Sequence, residues 1–205
     1  MLQYKTVLYC SIERENITAS HSSARQRLLE TASDLFYRKG IRSIGVDTIA
    51  EQSGVGKPTL YRHFSTKDKL ISAYLEEENC LHWQWFEEAI APLQESAKAQ
   101  LLALIDATTQ ILTKPGYRGC AFLNALAEFS EEDHPAHRQA IEYKHALRLR
   151  LYQLSQQAGA RDPDALADQL LLVINGALAS APLFGSSGPS AQLTTIAPYL
   201  VDFQL

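Results

Sequence analysis

The seven residues from Lys57 to His63 carry five hydrogen-bonding side chains: Lys57, Thr59, Tyr61, Arg62 and His63. Lysine and arginine offer fixed positive charge and several N–H donors, a match for phosphate oxygens and for the acceptor edge of guanine. Thr59, Tyr61 and His63 supply shorter donors suited to backbone phosphates. Other chemistry finds less support. His134 and His137 flank Pro135-Ala136 across a helix start, and neither Asp133 nor His145 completes a metal-ligand spacing, so no metal is expected. No Ser-His-Asp arrangement, glycine-rich phosphate loop or HExxH is present, so neither an enzyme nor a bound cofactor is expected.

The donors need a short helix held at a fixed angle, and the neighbouring sequence provides one. Residues 46–53 (VDTIAEQS) fit two helical turns closed by Gly54, and residues 57–64 (KPTLYRHF) fit two more, with Pro58 in the first turn where an N–H would have no partner. Gly54 permits the positive φ of a steep inter-helix turn. Ala50 is small where the helices must cross, and Ile49, Val55, Leu60 and Phe64 form a shared apolar wedge. That wedge needs a floor, and residues 24–39 supply it with Leu28, Leu29, Ala32, Leu35 and Phe36 on one helical face. Ser23 is placed to cap that helix with Gln26 reaching back, and Gly40 to end it in a left-handed conformation. Wedged this way, the second short helix turns its donors outward, as a major-groove reader does.

From Ser65 or Thr66, either of which can cap it, a long helix should run from Lys67 to about Ala91. Further helices are expected near 95–113, 120–130, 135–158, 163–184 and 190–203, which gives an all-α chain of about nine helices. Segments 163–184 and 190–203 are apolar around much of their circumference and must be covered on more than one side.

Charge divides with the helices. Residues 1–70 hold eleven Lys or Arg against seven Asp or Glu, whereas the rest hold eight against sixteen, so an acidic total of −4 conceals a basic front third. Such asymmetry points to a polyanion partner for one end. At 205 residues and 46% apolar composition the chain can bury a real core, which excludes a disordered or fibrous protein. Three scattered cysteines make no disulfide framework, no uninterrupted apolar run suggests a membrane span, and the first twenty residues do not read as a secretory signal. A cytoplasmic location without membrane association is expected.

The stretch LLETASDLFYRKGIRSIGVDTIAEQSGVGKPTLYRHFSTKDKLISAYL, residues 28–75, resembles the N-terminal domain of TetR/AcrR transcriptional regulators. The resemblance implies a three-helix helix-turn-helix DNA-binding head (22–66) behind an N-terminal arm (1–21). It also implies a C-terminal helical body for ligand binding and dimerisation (67–205). By resemblance Tyr61, His63 and Lys67 match phosphate-contacting positions, Lys57, Thr59 and Arg62 lie on the base-facing side, and Thr48 is the nearest hydroxyl for a further phosphate. Asp47 departs from this pattern and would repel phosphate unless it points along its helix or pairs with Arg42. The implied protein is a homodimer joined through the helices near 163–184 and 190–203. It would bind double-stranded DNA, at a near-palindromic operator, and answer to a small-molecule effector, most often as a repressor.

For that effector the body offers interleaved aromatic and polar residues: Trp83, Phe86, Phe122, Asn124, Glu128 and Tyr143. Residues 118–129 (RGCAFLNALAEF) resemble a segment of one subset of the family, at the helix linking sensor and head. Asn124 and Glu128, four apart, share a face. The competing reading is a helical protein-interaction module whose basic end binds DNA without sequence preference.

Overall fold

The computed structural model describes residues 23–205, and the expected arm at 1–21 lies outside the described residues. Helix α1 (Ala24–Lys39) starts at the foreseen cap, with the Gln26 N–H donating to Ser23 Oγ at 3.2 Å. The Gln26 side chain does not reach back, however; its amide donates to Glu30, one turn ahead, at 3.0 Å. Gly40 ends the helix at φ +90° and ψ 147°, a conformation open to glycine and outside the left-handed helical well. Two short helices follow, α2 (Val46–Ser53) and α3 (Lys57–His63). The buried residues of α1 are Leu28, Leu29, Ala32, Leu35 and Phe36, the stripe foreseen as a floor, and both α2 and α3 pack on this helix.

Helix α4 (Lys67–Ile90) is capped by Thr66, whose Oγ1 accepts from the Lys69 N–H at 3.2 Å. It runs into a single 3₁₀ turn (Ala91–Leu93) containing Pro92, which lacks the N–H that a continuing helix would need. Then come α5 (Ala97–Leu112), α6 (Ala121–Glu128), α7 (Pro135–Gln157) and α8 (Pro163–Phe184). Asp162 caps α8, accepting from the Ala165 N–H at 3.0 Å. The last foreseen segment divides into a 3₁₀ turn (Pro189–Gln192) and α9 (Leu193–Gln204). The described residues thus contain nine α-helices and no strand.

Two compact units share these helices. The first comprises described residues 23–84 with 121–141: α1 to α3, the front of α4, α6 and the start of α7. Its core includes Leu28, Phe36, Ile49, Leu60, Tyr74 and Phe122, all nearly or fully buried. Residues 85–120 and 142–205 form the second, in which α9 packs on α5 and α8. Its core includes Leu101, Ile105, Leu151, Leu166, Leu170 and Val201. The expected boundary at 66/67 does not coincide with these units, because the front of α4 and residues 121–141 pack with the head.

Candidate nucleic-acid interface

Leu60 and Ile49 lose all solvent contact, and Ala50, Val55 and Phe64 are buried beside them, so the wedge between α2 and α3 forms from the residues foreseen for it. Gly54 adopts the left-handed conformation (φ +65°, ψ 23°), and its N–H donates to the Ala50 and Glu51 carbonyls. The next amide, Val55 N–H, also donates to Ala50 O at 3.2 Å, which closes the α2–α3 turn. Burying Ile49, Val55, Leu60 and Phe64 fixes α3 on the unit, each contributing roughly 1.5–3 kcal/mol if fully buried.

On the opposite side, Lys57, Tyr61, Arg62 and His63 are exposed, while Thr48 and Thr59 are half-buried beside them. Tyr61 keeps 47% of its surface in water despite its large apolar ring, a placement suited to lying along a sugar-phosphate strand. Lys57 is not an isolated cation: Nζ lies 2.6 Å from Asp47 Oδ1. That hydrogen bond and charge raise the Lys57 pKa, and they answer the Asp47 question with a partner other than Arg42. Asp47 thus keeps one positive group close to the α2–α3 face, and both members of the pair are solvent-exposed. Arg25 lies with its guanidinium carbon 5.2 Å from the centre of the Phe64 ring.

Lys67, expected at a phosphate, also has partners within the head. Its ammonium donates to the Ile41 carbonyl at 2.7 Å and lies 5.9 Å from the centre of the Phe36 ring. Partial burial lowers its pKa, with the negative charge of Glu128 opposing that effect. The ammonium thus bonds to the backbone of the α1–α2 turn.

Glu128 is also committed. Its two carboxylate oxygens accept from the Ile41 N–H at 2.9 Å and the Arg42 N–H at 2.6 Å. The six foreseen ligand-binding residues do not fall in one compact unit: Trp83, Phe122, Asn124 and Glu128 belong to the first, Phe86 and Tyr143 to the second. Within the first, Trp83 and Phe122 are buried and His82 meets Phe122 edge-to-face at 5.6 Å. Within the second, Phe86 is buried with Arg150 over its ring at 5.8 Å. That unit also holds a polar feature the sequence reading missed, Lys144, buried with Nζ 2.7 Å from Asn175 Oδ1. Burial lowers the Lys144 pKa, opposed by the Cys120 side chain. No group of three or more His, Cys, Asp or Glu among the described residues is arranged to hold a metal ion.

Helices α8 and α9 leave large apolar side chains in water: Leu172 (72% exposed), Leu183 (75%), Tyr199 (69%) and Phe203 (60%), with Phe184 and Ile196 beside them in sequence. By length and composition α8 is apolar enough to cross a membrane, with a mean hydropathy of 1.4. Its first turns nevertheless carry Asp164 and Asp168, paired with Arg148 at 3.0 and 2.6 Å, which suits an aqueous helix end.

Comparison with known proteins places this geometry among relatives. Residues 28–74 match the family model for bacterial regulatory proteins of the tetR family, and residues 97–197 match the tetracyclin repressor-like C-terminal domain. The HTH-type transcriptional activator FasR of Mycolicibacterium smegmatis is 46% identical over 52 residues, which cover 25% of this chain and 24% of FasR, so that match spans about a quarter of the relative. The HTH-type transcriptional regulator YjdC of Escherichia coli is 25% identical over 154 residues, 75% of this chain and 81% of YjdC. Among solved structures, SCO4454, a TetR-family transcriptional regulator from Streptomyces coelicolor, superposes with a TM-score of 0.83 at 35% identity, covering 88% of this chain and 95% of its own. A putative tetr-transcriptional regulator from Streptomyces avermitilis gives 0.75 at 32% identity, covering 89% and 98%.

Proposed function

The chain belongs to the TetR family of bacterial regulatory proteins and is a DNA-binding transcriptional regulator, and from that premise we propose that it acts as a cytoplasmic homodimer on a near-palindromic operator. The observation that carries this reading is the outward face of α3, where Lys57, Tyr61, Arg62 and His63 are exposed above a fully buried wedge. Arg62 and Lys57 read guanine acceptors in the major groove, with Thr59 beside them. Tyr61, His63 and Thr48 bind flanking phosphates and set the register. Residues 22–66 supply the DNA-binding head and 67–205 the ligand-binding and dimerisation functions, with the front of α4 and residues 121–141 packed in the head's compact unit.

A reader helix of seven residues spans too few base pairs for regulatory specificity, so two copies are needed. The apolar side chains that α8 and α9 expose support pairing through these helices, since a monomer would leave Leu172, Leu183, Tyr199 and Phe203 in water. The same cover accounts for the apolar composition of α8 without a membrane. Occupation of promoter DNA excludes polymerase, and repression is the direct outcome. A small molecule bound in the body relieves it by favouring a dimer whose readers no longer fit the half-site spacing, and only its differential affinity for the two arrangements can do this. Selection of duplexes from a random pool, followed by footprinting, tests the reading: an inverted repeat supports it, and uniform protection refutes it.

A further inference from the structure

The α1–α2 turn is gripped from both sides of its backbone. Glu128, the last residue of α6, directs one carboxylate oxygen to the Ile41 N–H at 2.9 Å and the other to the Arg42 N–H at 2.6 Å. The carbonyl of the same Ile41 accepts from Lys67 Nζ at 2.7 Å. Arg42 adds its side chain, 3.2 Å from Glu131 and 4.9 Å from the centre of the Phe129 ring. Gly40 makes room for this. A Cβ there would lie 3.3 Å from Glu128 Oε1, and its φ of +90° is one that other residues rarely adopt. A carboxylate at the C-terminal end of a helix is electrostatically misplaced within that helix. Glu128 is satisfied from outside α6, by two amides 86 and 87 residues away.

We infer that Glu128 is a positioning residue for DNA binding: its carboxylate fixes the α1–α2 turn, and through that turn the angle at which α2 and α3 meet the duplex. The turn leads within a few residues into α2, and α2 and α3 share one wedge, so rotation of the turn carries the reader with it. A turn fixed before the encounter spares the complex the cost of ordering it. Glu128 itself touches no DNA in this scheme. This extends the DNA-binding reading of α3 and rests on it.

The test uses full-length Glu128→Ala and Glu128→Gln, hydrogen exchange, and two duplexes, one selected by the parent chain from a random pool and one scrambled. In Glu128→Ala the Ile41 and Arg42 amides should exchange at least about tenfold faster, while the amides of Leu28 to Phe36 keep their protection. Affinity for the selected duplex should fall about ten- to a hundredfold, because the variant must order the turn as it binds. Affinity for the scrambled duplex and the slope against salt should hold, because no phosphate contact is removed. Glu128→Gln should fall between, since its amide oxygen can still accept from one N–H, and it decides the matter alone if the alanine variant does not fold. Unchanged exchange at both amides, or an unchanged ratio of selected to scrambled affinity, overturns the inference. If the parent chain enriches no duplex, the DNA reading of α3 fails instead, while the exchange measurement still decides whether Glu128 holds the turn.

Discussion

Replacing Lys67 with Met should leave the salt dependence of DNA binding intact, whereas replacing Arg62 with Ala should cost base discrimination. Both residues carry one positive charge near the head, but the structure assigns them different work. The Lys67 ammonium is hydrogen-bonded to Ile41 O at 2.7 Å inside the unit; Arg62 is exposed on the α3 face. Arg62→Ala, at a guanine-facing side chain, should cost about 1–3 kcal/mol of discrimination at that base position, whereas each phosphate neutralised contributes about 0.9 to the slope of log affinity against log salt, so losing one phosphate contact per subunit of a dimer would reduce the slope by about 1.8. Between 0.05 and 0.2 M salt, a fourfold change, that difference amounts to about a twelvefold divergence from the parent chain. Lys67→Met should lose the hydrogen bond to Ile41, lowering stability by about 1 kcal/mol after allowance for its partial exposure, with a slope unchanged within about 0.3. Fluorescence anisotropy on one selected duplex at four salt concentrations, beside thermal melts, reads both quantities. A Lys67→Met slope lower by about 1.8 would refute the assignment and restore Lys67 to the phosphate contacts.

Other outcomes follow from the same geometry. Leu60→Ala, at a site with no solvent exposure, should cost about 2–5 kcal/mol and abolish specific binding, as chemical denaturation and anisotropy would register. Tyr199→Asp with Leu172→Asp should convert a dimer to a monomer by light scattering, and persistence of the dimer would exclude α8 and α9 as its interface. Burial raises the Glu78 carboxyl to about 7, with the charge of Glu77 adding to the effect. A carboxyl whose folded pKa lies above its unfolded value near 4.5 binds more protons in the folded state. Stability should therefore fall as pH rises from about 4.5 to 7 and level off above, and Glu78→Gln should flatten that decline, recovering roughly 1–3 kcal/mol at pH 8 in urea titrations.

Local sequence was a good guide wherever neighbours in the chain settle the outcome. The stripe of α1, the glycine turn at Gly54 and the cap at Ser23 depend on residues within one or two turns, and the helices begin and end close to where caps and prolines place them. Two of the local readings gave way to competition. Gln26 prefers Glu30 to its own helix start, and Pro189 with Gly188 yields a 3₁₀ turn ahead of α9 in place of one continuous helix. The grip on Ile41 and Arg42 was illegible, since no spacing rule connects Glu128 to a turn 86 residues earlier. Glu128, expected as a ligand group, and Lys67, expected as a phosphate group, both bond to the α1–α2 turn. The Asp47–Lys57 pair lay within reach, because a helix-turn-helix brings the start of α2 near the start of α3, yet Arg42 was the partner considered. The aromatic set chosen for the effector shows the limit of composition, which marks residues fit for a pocket and says nothing of which compact unit each one joins.

The central claim is that the solvent face of α3 reads duplex sequence, and the most direct measurement is enrichment of a random duplex pool by the parent chain and by a Lys57→Ala, Arg62→Ala double variant. The account predicts an inverted repeat with half-site centres about one helical turn or more apart for the parent, and loss of preference at guanine-bearing positions for the variant. Recovery of the same repeat by both proteins, or of no repeat by either, would contradict it.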